Sequence, residues 1–178
     1  MYSTLQQYVD DAKQAGNAGA WYAALALVLA LPDICSAVGY RGSPSAARYI
    51  AWFDKYAAPK ICSNVGPVID GNAAYALRCE FLHSGTGEIS RQRSGSSSRL
   101  DKVVLTESFG VTSAGVRKQR MAVPGSKEKL ALPVGDLCEN VLLAVSDWYQ
   151  DIVGDPSKLQ ELDELLKIMP VSTGPDGT

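Results

Sequence analysis

Apolar residues recur at intervals of three and four along most of the chain, the spacing that lines one face of an α-helix. Leu5, Tyr8, Val9 and Ala12 form such a face within residues 3–15. Residues 20–31 (AWYAALALVLAL) are apolar throughout. They predict a helix over 18–31 buried on most of its faces, with Pro32 marking its end or a kink before a continuation to Ala37. Ser43 and Pro44 read as the cap and first position of a helix over 44–57. Ala46, Ile50 and Phe53 share one stripe of it, and Tyr49, Trp52 and Tyr56 share a second that suits a core or a dimer interface. Asp70 caps a helix from Gly71 to His83, and Gly85 stands where a left-handed stop belongs.

The pattern then changes. Residues 84–99 (SGTGEISRQRSGSSSR) are too poor in apolar groups to bury and predict a loop. Residues 101–109 and 117–124 have strand character and a Gly-containing connection, which predicts a small hairpin lying against the helical body. Helical spacing resumes with Leu137, Val141, Val145, Trp148 and Ile152, and Asp136 with Glu139 has the form of a capping box. Asp155-Pro156 opens a last helix that turns Leu159, Leu162, Leu165 and Leu166 inward and stops before Pro170. The expected fold is mainly α: a single-domain bundle of five to six helices over residues 1–169. The small β-hairpin is inserted within 84–125, and a polar tail occupies 170–178.

The composition agrees with one ordinary globular domain: 178 residues, 46% apolar, 20% charged, with a formal charge of −2. That charge excludes a generally basic nucleic-acid coat, though not a local basic patch. The apolar run at 20–31 is shorter than the roughly 18–20 residues a membrane span needs. Asp10 and Asp11 precede it, unlike the basic start of a signal peptide, so no membrane partner is expected. The four cysteines, Cys35, Cys62, Cys79 and Cys138, lie far apart and form no C-x-x-C pair. With one histidine in the chain they predict no zinc site. They read as buried thiols of a cytoplasmic protein, the other reading being secretion with long-range disulfides. No phosphate-binding Gly loop and no Ser/His/Asp set is present, so no cofactor is expected.

The one constellation that carries chemistry surrounds the single histidine, His83, in the string LRCEFLHSG at 77–85. Arg78 stands five residues before it, about 140° away around a helix. Glu80 and Ser84 lie at the edges of the same region. An imidazole transfers protons near neutral pH, and a guanidinium stabilises a crowded phosphate, so together they suit metal-free cleavage of RNA. The other reading of the same residues is structural: Arg78 paired with a carboxylate such as Glu80 or Asp70, and His83 satisfied by a carbonyl. Arg91, Arg93 and Arg99 in the loop, and Arg117, Lys118 and Arg120 on the second strand, would contact RNA phosphates or simply face solvent. Cys79 reads as a buried thiol, not a nucleophile.

The R-x4-H string on a late helix of a helical domain resembles the HEPN superfamily, small helical domains that include many ribonucleases. The resemblance rests mainly on residues 70–86. It implies a metal-independent endoribonuclease of a bacterial toxin–antitoxin or phage-defence system. Arg78 and His83 would meet those of a second copy at a symmetric dimer interface, and a protein antitoxin or other partner is implied as well. Two positions depart from the family pattern. Cys79 stands where active members usually carry a polar residue, and Gly85 stands where toxins paired with nucleotidyltransferases carry a modified Tyr. The alternative is a non-catalytic helical interaction module that partners a nuclease or nucleotidyltransferase.

Overall fold

The computed structural model describes residues 3–39, 42, 44–63, 66–89, 100–107, 120–121 and 128–165. Helix α1 (Ser3–Asn17) buries Leu5, Val9 and Ala12, the face that the spacing predicts. It turns through Gly19, which has φ of 72°, into α2 (Trp21–Ala37). Helix α2 is the hub of the bundle and packs against α1, α3 (Ser45–Trp52), α4 (Gly71–Ser84) and α5 (Val134–Ile152). That position explains why its first twelve residues carry almost no polar group: helices approach from several sides, and Ala24, Leu25, Val28, Leu29 and Leu31 are all buried. Pro32 does not end the helix, which runs on to Ala37 and buries Cys35 and Ser36. No helix among the described residues is long and apolar enough to cross a membrane.

Helix α3 begins at Ser45 with Pro44 preceding it, one residue later than the cap pattern suggested, and Ser43 lies outside the described residues. Its continuation, Phe53–Ala57, widens into a π-turn. The extra residue in that turn lets Tyr49, Trp52, Phe53 and Ala57 all face inward. Tyr49 and Trp52 of the aromatic stripe are therefore core, while Tyr56 is half-buried at its edge. A two-residue ladder joins β1 (Cys62–Ser63) to β2 (Gly66–Pro67) ahead of α4. Helix α4 starts as expected, with the Asp70 carboxylate accepting from the Ala73 N–H at 2.8 Å. Gly71 allows α3 and α4 to touch: a Cβ there would stand 2.5 Å from the Ile50 carbonyl oxygen.

The inserted strands pair differently from the expected hairpin. Strand β3 (Leu100–Thr106) runs parallel to β5 (Glu128–Pro133), and β4 (Arg120–Met121) pairs antiparallel on the other edge of β5. The predicted partners, 101–109 and 117–124, are thus held apart by a third strand. Its residues EKLALP bury Leu130 and Leu132 beside Val103. Strand β5 feeds directly into α5, whose first residue is Val134. No side chain caps that helix, so Asp136 and Glu139 form no capping box; the Asp136 carbonyl instead accepts from Asn140 Nδ2 at 2.8 Å. Leu137, Val141, Val145, Trp148 and Ile152 are buried along α5, as their spacing requires. Helix α6 (Pro156–Asp163) closes the described chain and buries Leu162. Six α-helices among the described residues agree with the expected mainly α class. The tail at 170–178 lies outside the described residues.

Candidate functional site

Helix α4 carries the four candidate catalytic residues, and its geometry separates them. Arg78 faces α2. Its Nε lies 2.8 Å from Asp33 Oδ2, with about a quarter of each side chain exposed. The N–H is poorly aligned on that oxygen, so the contact is an ion pair more than a hydrogen bond. The carboxylate paired to Arg78 is therefore neither Glu80 nor Asp70. Glu80 turns inward, is 5% exposed, and accepts from Thr86 Oγ1 at 3.0 Å. His83 and Ser84 stand exposed in the last turn. That turn is closed by Gly85 at φ of 66°, with the Gly85 N–H donating to the Phe81 carbonyl at 3.0 Å and the Thr86 N–H to the Glu80 carbonyl at 3.3 Å.

Around Arg78 lies a polar cluster at the junction of three helices. Burial pushes the Asp33 carboxyl above its ordinary value, and the Arg78 and Arg48 guanidiniums pull it back without cancelling that effect. Tyr49 sits against the same charges. Its hydroxyl is fully buried without a hydrogen-bond partner among the described residues. Burial, followed by the Asp33 charge, raises its pKa well above the ordinary tyrosine value, so it stays neutral. Cys79 lies beside them, its Sγ 4.0 Å from Arg78 Nη1. Cys35, Cys79 and Cys138 are buried free thiols.

The sequence pattern placed Tyr49 only in an aromatic stripe and singled out neither Asp33 nor Arg48. A signal for Asp33 was present: a carboxylate that ends a long apolar run and continues a buried helix must find a cation. Of the basic residues expected to meet RNA, Arg91, Arg93, Arg99, Arg117 and Lys118 lie outside the described residues. Arg120 belongs to β4, and only its backbone is described. Elsewhere on α4, the Phe81 ring stacks on Tyr22 with centroids 6.4 Å apart, and Tyr22 is 82% exposed. The surface also has a groove of about 820 Å³ between α1 and α5, a cleft of about 340 Å³ beside α3, and a recess of about 490 Å³ at the start of α2. Arg78 and His83 line none of the three. Comparison with protein-family models, with curated proteins and with solved structures returned no match.

Proposed function

We propose that the protein is a metal-independent endoribonuclease of HEPN type that acts as a homodimer in a bacterial toxin–antitoxin or phage-defence system. The observation that supports this most is the presentation of His83. The only imidazole of the chain is exposed at the locked end of α4, five residues after an arginine that an ion pair holds in place. In this reading His83 takes the proton of a ribose 2′-OH as that oxygen attacks the adjacent phosphorus. Arg78 stabilises the charge gathering on the phosphoryl oxygens. The 5′-oxygen leaves with a proton returned by an imidazolium, and the products are a 2′,3′-cyclic phosphate and a 5′-hydroxyl. A second copy supplies the matching Arg78 and His83. Glu80 stiffens the helix end from inside, Ser84 stands beside the imidazole, and Arg91, Arg93, Arg99, Arg117, Lys118 and Arg120 hold the RNA backbone.

The test is incubation of the purified protein with labelled structured RNA in EDTA, wild type beside His83→Ala. Cleavage to 2′,3′-cyclic ends by the wild type alone supports the reading. Cleavage by both proteins removes His83 from the chemistry, and no cleavage by a folded dimer removes the activity.

One observation favours a second reading, the non-catalytic interaction module that partners a nuclease or nucleotidyltransferase. The Arg78–Asp33 pair ties α4 to α2, which is a structural use of the arginine. That reading predicts loss of thermal stability in Arg78→Ala and no affinity of the wild type for RNA.

A further inference from the structure

We propose that the groove between α1 and α5 is an interface between two copies of this chain. Neither Arg78 nor His83 lines it, so the proposal does not rest on the ribonuclease reading. The groove has a volume of about 820 Å³. Its floor is apolar: Val9 and Ala12 of α1 with Cys138 and Leu142 of α5, all buried. Above that floor, on the α5 side, Leu143 stands 50% exposed. A trough with an apolar knob at its edge leaves both in water until a complementary surface covers them.

The charges on the two rims identify the complement. Lys13 stands on the α1 rim, and Asp136 and Glu139 stand on the α5 rim. None of the three makes an ion pair among the described residues. The two helices run antiparallel. Val134, the first residue of α5, shares a recess with Gly19 and Trp21, which follow α1, while the groove extends back to Gln6 and to Ser146. Lys13 lies four residues before the end of α1, and Glu139 five residues after the start of α5. At the helical rise they stand about 6 Å and about 8 Å from the same end of the groove, so opposite charges face each other at one level. Val9 lies eight residues before the end of α1, and Leu143 nine residues after the start of α5. They share a level too, at about 12–14 Å. A two-fold axis along the groove lays α1 of one copy on α5 of the other. The same rotation brings each Lys13 to Asp136 and Glu139 of the partner subunit, and each Leu143 over Val9 of the partner subunit. A surface that is its own complement in both charge and apolar contact fits a second copy of itself. This dimer leaves the His83 end of α4 outside the interface, so a contact through α4 would be a separate one.

The experiment is sedimentation equilibrium of the full chain at micromolar concentrations and low salt. The expected result is a dimer. Leu143→Arg, at a position the fold leaves half in water, should keep the wild-type circular dichroism and sediment as a monomer. Lys13→Glu and Glu139→Lys each set like charges against each other across the interface and should weaken the dimer about tenfold or more. Mixed in equal amounts, these two variants should regain the wild-type affinity, because the mixed dimer restores opposite charges at both contacts. An ion pair within one chain would give no such recovery. Three results each overturn the proposal: a monomeric wild type, a dimer that survives Leu143→Arg, or a mixture of the charge variants that associates no better than either alone. A dimer that survives Leu143→Arg removes this interface without touching the ribonuclease reading, which places the second copy at α4.

Discussion

Asp33 and Arg78 do unequal work for each other, and single substitutions should expose the inequality. The Asp33 carboxyl is held above its ordinary value because burial outweighs two neighbouring guanidiniums. A carboxyl raised on folding binds its proton more tightly in the folded chain. It therefore subtracts stability as pH rises from the usual carboxylate range through the folded value. Removing the cation makes this worse. Arg78→Met leaves a half-buried charge facing α4 and should cost about 1–3 kcal/mol at neutral pH, less than a fully buried pair because a quarter of each partner meets water. Asp33→Asn leaves an arginine that can reach solvent and should cost less. Urea titrations check both the order and the sign: the Arg78→Met deficit should shrink as pH falls and the carboxyl, held above its ordinary value of 3.8, takes up its proton. A deficit independent of pH would show that packing of the arginine stem, not charge, is what matters. Gly71 sets a different constraint on the same helix. Its N–H donates to Asp54 Oδ1 at 2.6 Å and its missing Cβ makes room for the Ile50 carbonyl. Gly71→Ala should therefore separate α3 from α4 and cost about 1–3 kcal/mol, read from the same titrations.

Helix ends decide how firmly the candidate residues are presented. Gly85 holds a positive φ that a side chain resists, although nothing stands within 4 Å of where its Cβ would lie. Gly85→Ala should cost about 1–2 kcal/mol through backbone strain alone. It should also speed hydrogen exchange of the Thr86 amide, while the Asp70-capped start of α4 keeps its protection. Helix α6 depends on a charged cap. Asp155 accepts from the backbone of Ser157 and Lys158 and from the Ser157 hydroxyl, and hydrogen bonding from Ser157 leads the effects that lower its pKa to about 2. A carboxyl lowered on folding adds stability above the ordinary value of 3.8, and that addition is lost as pH falls towards 2. Amide exchange in α6 should accelerate over that interval in the wild type and be fast at all pH values in Asp155→Ala. These three ends were legible in the sequence because caps are local: Asp70, Gly85 and Asp155 each act on backbone within a few residues. The faces of α1 and α5 were legible for the same reason, since a spacing of three and four is a local property. Strand β5 was not. Its six residues alternate weakly, and its parallel partner lies more than twenty residues upstream, so nothing local distinguishes it from a loop. The π-turn after Trp52 was equally hidden, because the aromatic spacing at 49, 52, 53 and 56 fits an ordinary helix. At the candidate site the sequence exposed the Arg78 and His83 pair but not Asp33, whose role depends on how two distant helices cross.

The three-stranded insertion is a part of the molecule's core and not an appendage, and its unfolding should show this. A local hairpin would store its stability in its own two strands and come away without the bundle. Here the middle strand joins the helices covalently at Pro133 and Val134, and the buried Leu130, Leu132 and Val103 belong to the same apolar cluster as α2 and α5. The chain leaving α4 is stitched to the sheet as well: the Val103 N–H donates to the Gly87 carbonyl at 3.0 Å, and Lys102 pairs with Glu88 at 2.5 Å. Sheet, helix end and bundle should therefore melt as one unit. Leu132→Ala removes a side chain that is 1% exposed and should cost about 2–5 kcal/mol. The cost should appear in one transition, with far-ultraviolet dichroism and the fluorescence of the buried Trp52 and Trp148 moving to lower urea together. If the helices instead kept their wild-type midpoint while a separate early phase appeared, the sheet would be an independent module. The end of α4 that presents His83 would then be anchored by the bundle alone.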